Sequence, residues 1–227
     1  LIFVYTEVDP SVKHKLYKEK TGKNYDTRNK FQVYKDIKKA RDITVTFFPS
    51  IYLNDKNLTL LPLSGVSKSE TINCNENGYY SIFKSDRFGF NNPDEEWDNK
   101  EIDYLIVGDS YAFGSCVNRP NDIASVLRKL SKKSVLNLGY PGNGPLIEYA
   151  TLREYAGRNI KNILWLYFES NDNNDLYNEL RSSILKKYIN DRDFTQDLKT
   201  RQNEVDKLSK SKLKLAESIA LEEKRQN

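Results

Sequence analysis

The chain is 227 residues long and carries 36 Lys and Arg against 32 Asp and Glu, a formal net charge of +4, with 12% aromatic residues. This composition excludes a collagen-like chain and argues against wholesale disorder, and the length suits one large domain or one domain with appendages. Two Cys are too few for a disulfide-stapled scaffold or a four-thiolate zinc site, and the chain contains one His, His14, and no Met.

Both ends of the sequence are unusual. Residues 1–5 (LIFVY) are apolar, and two interpretations stay open: the end of a signal peptide or membrane anchor, or a first strand. The last residues, 224–227, lie inside a charged helical pattern without a Gly or Pro stop signal. We therefore expect a fragment truncated on both sides, with a membrane anchor upstream of Leu1 as one alternative.

Positive charge is concentrated near the N-terminus. From Asp9 to Arg41 there are 11 Lys or Arg against 4 Asp or Glu, within a mixed polar segment over residues 1–42. Such a block could bind a phosphate backbone or an anionic membrane surface. No nucleic-acid motif accompanies it, so we interpret it as a solvated Lys-rich surface and predict no nucleic-acid partner.

Residues 43–90 are rich in strand and turn signals. The runs at residues 43–48 (ITVTFF) and 78–83 (GYYSIF) indicate short strands, and the turn cluster at residues 91–94 (NNPD) predicts a boundary.

After that boundary, short apolar runs alternate with helical patterns. Strands are predicted at residues 102–107 (IDYLIV), 134–138 (SVLNL) and 163–168 (ILWLYF), with helices near 121–130, from Pro145 and from about Asp175. Continuous apolar strands separated by helices indicate a parallel sheet covered on both faces.

The last segment, over about residues 194–221, carries apolar residues at near-heptad spacing among Lys and Glu. A partner helix or short coiled coil is one interpretation, and packing on its own domain is the favoured one. The apolar positions are Leu198, Val205, Leu208, Leu215 and Ile219.

Small and amide residues follow each of the three predicted core strands. Ligands of an open parallel sheet bind outside the carboxyl ends of its strands. Ser110 follows the first strand, so its hydroxyl is a candidate nucleophile and its N–H a candidate oxyanion donor. Gly142, after the second strand, and the Asn171 amide, after the third, are further candidate donors.

These residues resemble the motifs of the SGNH hydrolases, the GDSL esterase/lipase superfamily. Gly108-Asp109-Ser110 is similar to the first block of that family and implies Ser110 as the nucleophile. Asn137 followed by Gly142 is similar to the second block, and Asn171-Asp172 to the third, which implies oxyanion donors at Gly142 and Asn171.

The sequence also departs from the family pattern. Glu169 stands where the third block usually has Gly, and the fourth block, an Asp and a His three residues apart, is not among the 227 residues. The resemblance implies that a His beyond Asn227 acts as general base. Around the core, Asp86-Arg87, Asn92-Pro93 and Trp97 resemble uncharacterised bacterial SGNH-like proteins linked to cell-surface polysaccharide.

Each candidate residue also has a structural interpretation. Ser110 and Asn171 could cap helices, Gly142 could serve a turn, and Asp109 and Asp172 are supporting residues, Asp109 by shaping the turn after the strand. His14 precedes Ser110 by a long stretch, so we expect it to be a solvent-exposed surface residue rather than the base.

The two cysteines and an acidic run in the sequence each allow more than one interpretation. We favour two buried thiols for Cys74 and Cys116, with a disulfide as the alternative if the protein is exported. The acidic and amide run at residues 172–175 fits neither a calcium loop nor a zinc pattern, so no metal and no cofactor are predicted.

The sequence thus predicts an α/β protein with a three-layer, flavodoxin-like parallel sheet. Residues 1–93 form an N-terminal extension, 94–193 an incomplete SGNH-like core, and 194–227 an amphipathic helix. The expected activity is ester hydrolysis or O-acyl transfer on a small-molecule or carbohydrate ester, and the alternative is a catalytically inactive binding or assembly protein. A cell-envelope location is favoured over a cytoplasmic one.

Overall fold

The computed structural model describes residues 9–55, 57–157, 159–169 and 171–226, with side chains described as far as residue 218. The apolar residues 1–5, and with them the choice between a leader, an anchor and a strand, lie outside the described residues. Within the described ranges, no helix is long and apolar enough to cross a membrane.

The basic N-terminal segment forms two helices, which the sequence interpretation as mixed polar structure did not specify. Helix α1 (Pro10–Thr21) begins with an Asp9 cap and ends at Gly22, in a left-handed conformation with φ +69°. Helix α2 (Lys30–Lys38) begins with a capping box between Asn29 and Gln32. Several cations of this segment form ion pairs: Arg28 with Asp26 and Asp36, Lys38 with Glu217, Lys39 with Asp36 and Arg41 with Glu70.

A small sheet follows, and the strand signals at residues 43–48 and 78–83 predicted two of its three strands but not the one at Glu70–Ile72. Strand β1 (Thr44–Val45) pairs in parallel with β2 (Glu70–Ile72), and β2 pairs antiparallel with β3 (Ile82–Lys84). Two short 3₁₀ helices, Pro49–Tyr52 and Asp94–Asp98, lie before and after the last two of these strands.

The second sheet is entirely parallel, and the prediction of an α/β fold is confirmed. Its strands are β4 (Ile102–Gly108), β5 (Val135–Asn137) and β6 (Ile160–Leu166), in the spatial order β5-β4-β6. The helices are α3 (Ser110–Phe113), α4 (Ile123–Ser131), α5 (Pro145–Tyr155), α6 (Asp172–Glu179), α7 (Ser183–Asn190) and α8 (Gln202–Gln226).

Helices cover the central strand β4 on both faces. Leu105 and Val107 pack with Ile147 of α5, whereas Ile106, between them in sequence, packs with Ala124 of α4. Alternate residues of a strand point to opposite faces, so α4 and α5 lie on opposite sides of the sheet.

Strand β6 corrects one expectation. The apolar run at residues 163–168 predicted a strand covered on both faces, but Ile163, Trp165 and Phe168 are 49%, 43% and 40% exposed. Strand β6 lies at the edge of the sheet and pairs only with β4 among the described strands. It also begins at Ile160, earlier than predicted, because Lys161 and Asn162 interrupt the apolar signal.

One hydrophobic core joins the three predicted segments. It contains Leu61 of the N-terminal extension, Leu105 of the parallel sheet and Leu198 and Val205 of the C-terminal segment, all at 0% exposure. The C-terminal stripe therefore packs on its own chain over these residues, while Leu215 is 54% exposed. The side chain of Ile219 lies outside the described residues.

Candidate functional site

Ser110 lies at the carboxyl end of the central strand. Strand β4 ends at Gly108, and Ser110 begins the short helix α3. A Cβ on Gly108 would lie 2.8 Å from both Ala112 Cβ and the Leu166 carbonyl oxygen, so the tight passage from strand to helix requires glycine. The sequence therefore places the serine hydroxyl at the edge of the sheet.

Asp109 shapes this turn, as the sequence predicted. Its carboxylate accepts a hydrogen bond from the Tyr111 N–H at 2.9 Å and so caps α3. Among the described residues, the hydrogen-bond partner of the Ser110 hydroxyl is Asp109 Oδ2, at a distance of 3.4 Å. Ser110 is half-buried, and Asp109 is 3% exposed.

Asn137, at the end of β5, connects that strand to α3 through its side chain. Its side-chain amide donates to the Ala112 carbonyl at 2.7 Å, and its side-chain oxygen accepts the Gly139 N–H at 2.9 Å. A Cβ on Gly139 would lie 2.5 Å from Ala112 Cβ, so glycine permits this close approach. The first two motif blocks are thus in direct contact.

Gly142 has a left-handed conformation, with φ +75°, in the loop between β5 and α5. The half-exposed ring of Phe48, from the N-terminal extension, lies against it, and a Cβ on Gly142 would be 2.7 Å from Phe48 Cγ. The sequence did not predict this contact, because Phe48 belongs to a segment far from the motif blocks.

Asn171 and Asp172 lie at the start of α6, after β6. The Asn171 side-chain amide donates to Asp175 Oδ2 at 3.0 Å, so one of its two N–H groups is committed to that carboxylate. Asp172 is fully buried and accepts the Phe168 N–H at 2.6 Å. Burial raises the pKa of Asp172, and the hydrogen bond from Phe168 opposes this shift.

The third strand end also touches α3. The rings of Tyr111 and Phe168 are 5.1 Å apart between centroids, and both side chains are exposed. The ends of the second and third strands therefore both contact α3, Asn137 through Ala112 and Phe168 through Tyr111.

A cavity of about 300 Å³ opens beside Ser110. Tyr111, Ser115 and Asp122 line it from the same side of the sheet, and Glu76 lines it from the N-terminal extension. Gly142 and Asn171 are not among its lining residues. Ser110 thus lines a ligand-sized space, whereas the other two predicted donors are not among the residues that line it.

Glu148 is a buried carboxyl that the sequence analysis missed. It lies on α5 at 0% exposure, and the Trp165 indole N–H donates to its Oε2. Burial raises its pKa to about 8, opposed by the Trp165 hydrogen bond and reinforced by the negative charges of Asp172, Asp109 and Glu179. Burial thus favours the protonated form of Glu148.

Glu179 orients the loop that carries Gly142. Its carboxylate accepts the backbone N–H groups of Gly144, Leu146 and Ile147 at 2.7, 2.8 and 3.2 Å and so caps the N-terminus of α5. Burial raises the pKa of Glu179 to about 7, although the three N–H donors favour its ionised form. No sequence signal indicates this cap, because the acceptor comes from another helix.

The two cysteines form a disulfide, which corrects the interpretation as two buried thiols. Cys74 and Cys116 are joined with a Cα–Cα distance of 4.8 Å. The Asn77 side-chain amide also donates to the Cys116 carbonyl at 3.1 Å. Both contacts attach the segment after α3 to the N-terminal extension.

His14 lies apart from Ser110. The prediction of a solvent-exposed residue is corrected, since His14 is half-buried on α1, with its ring tilted against that of Tyr25 at a centroid distance of 4.4 Å. It lines a different cavity with Lys15 and Lys18. The structure thus gives His14 a packing role.

Asp86 is the centre of a buried hydrogen-bond network. Its carboxylate, at 0% exposure, accepts the N–H groups of Phe88 and Phe90, the Asn92 amide and the Trp97 indole N–H. Burial raises the pKa of Asp86 to about 6, although the hydrogen bonds from these four donors lower it. Asn92 in turn bonds both backbone groups of Asn137.

Comparison with family models, with curated proteins and with solved structures finds no match to this chain.

Proposed function

We propose that the protein is a serine ester hydrolase of the SGNH type, with Ser110 as its nucleophile. The observation that carries the proposal is the position of Ser110, at the carboxyl end of the central strand β4 and beside a cavity of about 300 Å³. Ligands of open parallel sheets bind at this edge. The contacts of Asn137 with Ala112 and of Tyr111 with Phe168 support the grouping of the three blocks.

The proposed reaction follows from the serine chemistry. The Ser110 Oγ attacks the carbonyl carbon of an ester, and a general base takes its proton. The alcohol then leaves with that proton, and water releases the acyl group from Ser110. The N–H groups of Ser110 and Gly142 and the free N–H of the Asn171 amide are the proposed donors to the oxyanion.

The general base has to be an imidazole other than His14. That residue contacts Tyr25 and lines a separate cavity. The proposed base is the His of the fourth SGNH block, supplied from beyond the 227 residues and held by an Asp. An acylated carbohydrate of the cell surface is the proposed substrate, from the sequence resemblance alone.

The disulfide supports a cell-envelope location for this activity. Disulfides persist in oxidising compartments and are rare in the cytosol of mesophiles. The Cys74–Cys116 bond borders the cavity that contains Ser110, because Ser115 and Val117 line that cavity on either side of Cys116.

The test is an acetyl-ester assay on the protein translated from its complete gene. Ser110→Ala should lower kcat by at least about 1,000-fold, since the nucleophile is lost. Ser115→Ala is the matched control, because Ser115 lines the same cavity and should keep most of the activity. Equal turnover by Ser110→Ala and the parent protein would refute the nucleophile assignment.

A second candidate function is a non-catalytic binding or assembly protein with the same fold. It is favoured by the environment of Ser110, whose hydroxyl has a carboxylate at 3.4 Å and no basic partner among the described residues. The gene sequence after Asn227 distinguishes the two: an Asp-x-x-His block supports the enzyme, and a stop codon supports the binding protein.

A further inference from the structure

A second cavity, of about 500 Å³, is lined in part by Arg119, in the segment that follows α3. Lys68, Lys84 and Arg119 line it, and we call it the basic cavity. Ser85 and residues 92–95 complete its walls, and none of Ser110, Gly142 and Asn171 is among its lining residues. The basic cavity is therefore separate from the proposed catalytic site.

The three cations of the basic cavity have no anionic partner in the part of the chain that the structure describes. None of Lys68, Lys84 and Arg119 forms an ion pair there, whereas the Asp94 carboxylate at the wall is held by Arg87 at 3.0 Å. The remaining wall carboxylate, Glu95, is exposed. The cavity thus has an excess of positive charge.

Arg119 is the most constrained of the three. Its Nη2 donates to the Lys84 carbonyl at 2.8 Å, and its Nη1 is buried without a hydrogen-bond partner among the described residues. A buried donor of a charged group is costly to leave unpaired, so an anionic ligand that accepts from Nη1 would remove that cost. Burial lowers the pKa of Arg119, and the largest opposing influence is the charge of Asp122, which caps α4 and forms no ion pair with Arg119, followed by the charges of Asp86 and Glu95.

The segment that carries Arg119 is held at several points. Cys116 is bonded to Cys74, and the Asn118 side chain accepts the Ile82 N–H at 2.9 Å. The guanidinium is therefore positioned before any ligand arrives, which lowers the entropic cost of binding.

We propose that the basic cavity is a binding site for a small oxyanion, a carboxylate or phosphate group, with Arg119 as its principal ligand and Lys68 and Lys84 as rim cations. A guanidinium suits an oxyanion, since it can donate two parallel hydrogen bonds, and the Nη1 group of Arg119 has no hydrogen-bond partner among the described residues. The two lysines, both exposed, add attraction that salt weakens.

The position of the site suggests its use. The segment of residues 114–123 borders both cavities, because Gly114, Ser115 and Asp122 line the Ser110 cavity and Arg119 lines the basic one. An anionic group bound at Arg119 would therefore hold its ligand on the same preformed segment that lines the Ser110 cavity. The binding itself does not depend on the proposed ester hydrolysis.

The test is isothermal titration calorimetry of the 227-residue protein with sodium phosphate and with glucuronate, and with glucose as the neutral control. We expect a Kd of about 1 mM for at least one anion and no heat with glucose. Arg119→Gln should weaken that binding by at least about tenfold, and Lys84→Gln by about two- to fivefold. Lys100→Gln, an exposed lysine outside the cavity, is the matched control.

The outcomes of this test distinguish the possible ligands from one another, and they distinguish the anion-binding proposal from the proposed ester hydrolysis. Binding of glucuronate alone indicates an acidic saccharide, and binding of phosphate alone indicates a phosphorylated ligand. No binding of either anion at about 20 mM, or equal binding by Arg119→Gln and the parent, would overturn the proposal. Lys84→Gln provides a second variant that keeps the Arg119 hydrogen bond to the Lys84 carbonyl. Ser110→Ala should bind the anion with unchanged affinity, so failure here is distinct from failure of the proposed hydrolysis.

Discussion

Replacing Glu148 by Gln should stabilise the protein at alkaline pH and change its stability little near pH 5. The carboxyl is fully buried, and its pKa is about 8 in the folded protein against 4.5 for an ordinary Glu. The folded state therefore prefers the protonated form. The stabilisation from this preference is complete below pH 4.5 and is lost as the pH rises towards 8.

The size of the effect follows from the two pKa values. A difference of one pKa unit corresponds to about 1.36 kcal/mol, so the step from 4.5 to about 8 corresponds to at most about 5 kcal/mol of unfolding free energy. The side chain of Trp165, which donates to Glu148, is 43% exposed, and solvent reaching the pair would reduce this figure. Gln keeps an acceptor for the indole N–H and carries no charge.

The assay is urea denaturation of both proteins at about pH 5, 7 and 9, followed by far-UV circular dichroism. The free energy of unfolding of Glu148→Gln minus that of the parent should increase steadily with pH. Glu169→Gln, which removes an exposed carboxylate, is the control and should give a nearly constant difference. A constant difference for Glu148→Gln as well would refute the assignment of a buried, protonated carboxyl.

Three further substitutions test the elements around the site. Glu179→Ala should cost about 2–3 kcal/mol in urea denaturation, because three backbone N–H groups lose their acceptor, and Glu179→Gln, which keeps one acceptor oxygen, should cost less. Replacing Cys74 and Cys116 together by Ser should lower the free energy of unfolding by about 4 kcal/mol, because the disulfide cross-links residues 42 positions apart. It should also abolish the effect of reductant on the melting temperature. Gly142→Ala should cost about 1–2 kcal/mol, because its φ of +75° disfavours a Cβ that would also meet Phe48, and an unchanged melting temperature would contradict this.

The α/β character of the fold could be predicted from the sequence, because strand β4 and its neighbour β5 are apolar runs and the following helices begin at recognisable signals. The helix at Pro145 begins where that residue suits the first turn. The helices α1 and α2 had equally readable start signals, in Asp9-Pro10 and in the Asn29–Gln32 capping box. However, α1 buries no residue and the lysines of α2 interrupt its apolar face, so neither helix showed a clear apolar pattern.

Other features depend on contacts between distant segments and could not be predicted. Three features depend on residues that are far apart in sequence. They are the burial of Glu148 and Glu179, the contact of Phe48 with Gly142 and the disulfide between Cys74 and Cys116. The exposure of β6 has the same origin, since an apolar run does not reveal whether a strand is central or at an edge. Local pattern therefore predicted where Ser110 and its neighbours lie along the chain, and tertiary contacts determined their surroundings.

The Asp86 network bears on how the protein unfolds. The Oδ1 atom of the carboxylate accepts from Phe90 and the Oδ2 atom from Trp97 and Asn92, and Asn92 also bonds Asn137 in the parallel sheet. Breaking any part exposes a buried acceptor, so the N-terminal extension and the sheet should unfold in one cooperative transition. In native-state hydrogen exchange, the Phe90 amide and the Trp97 indole proton should exchange with the same free energy as the Asn137 amide.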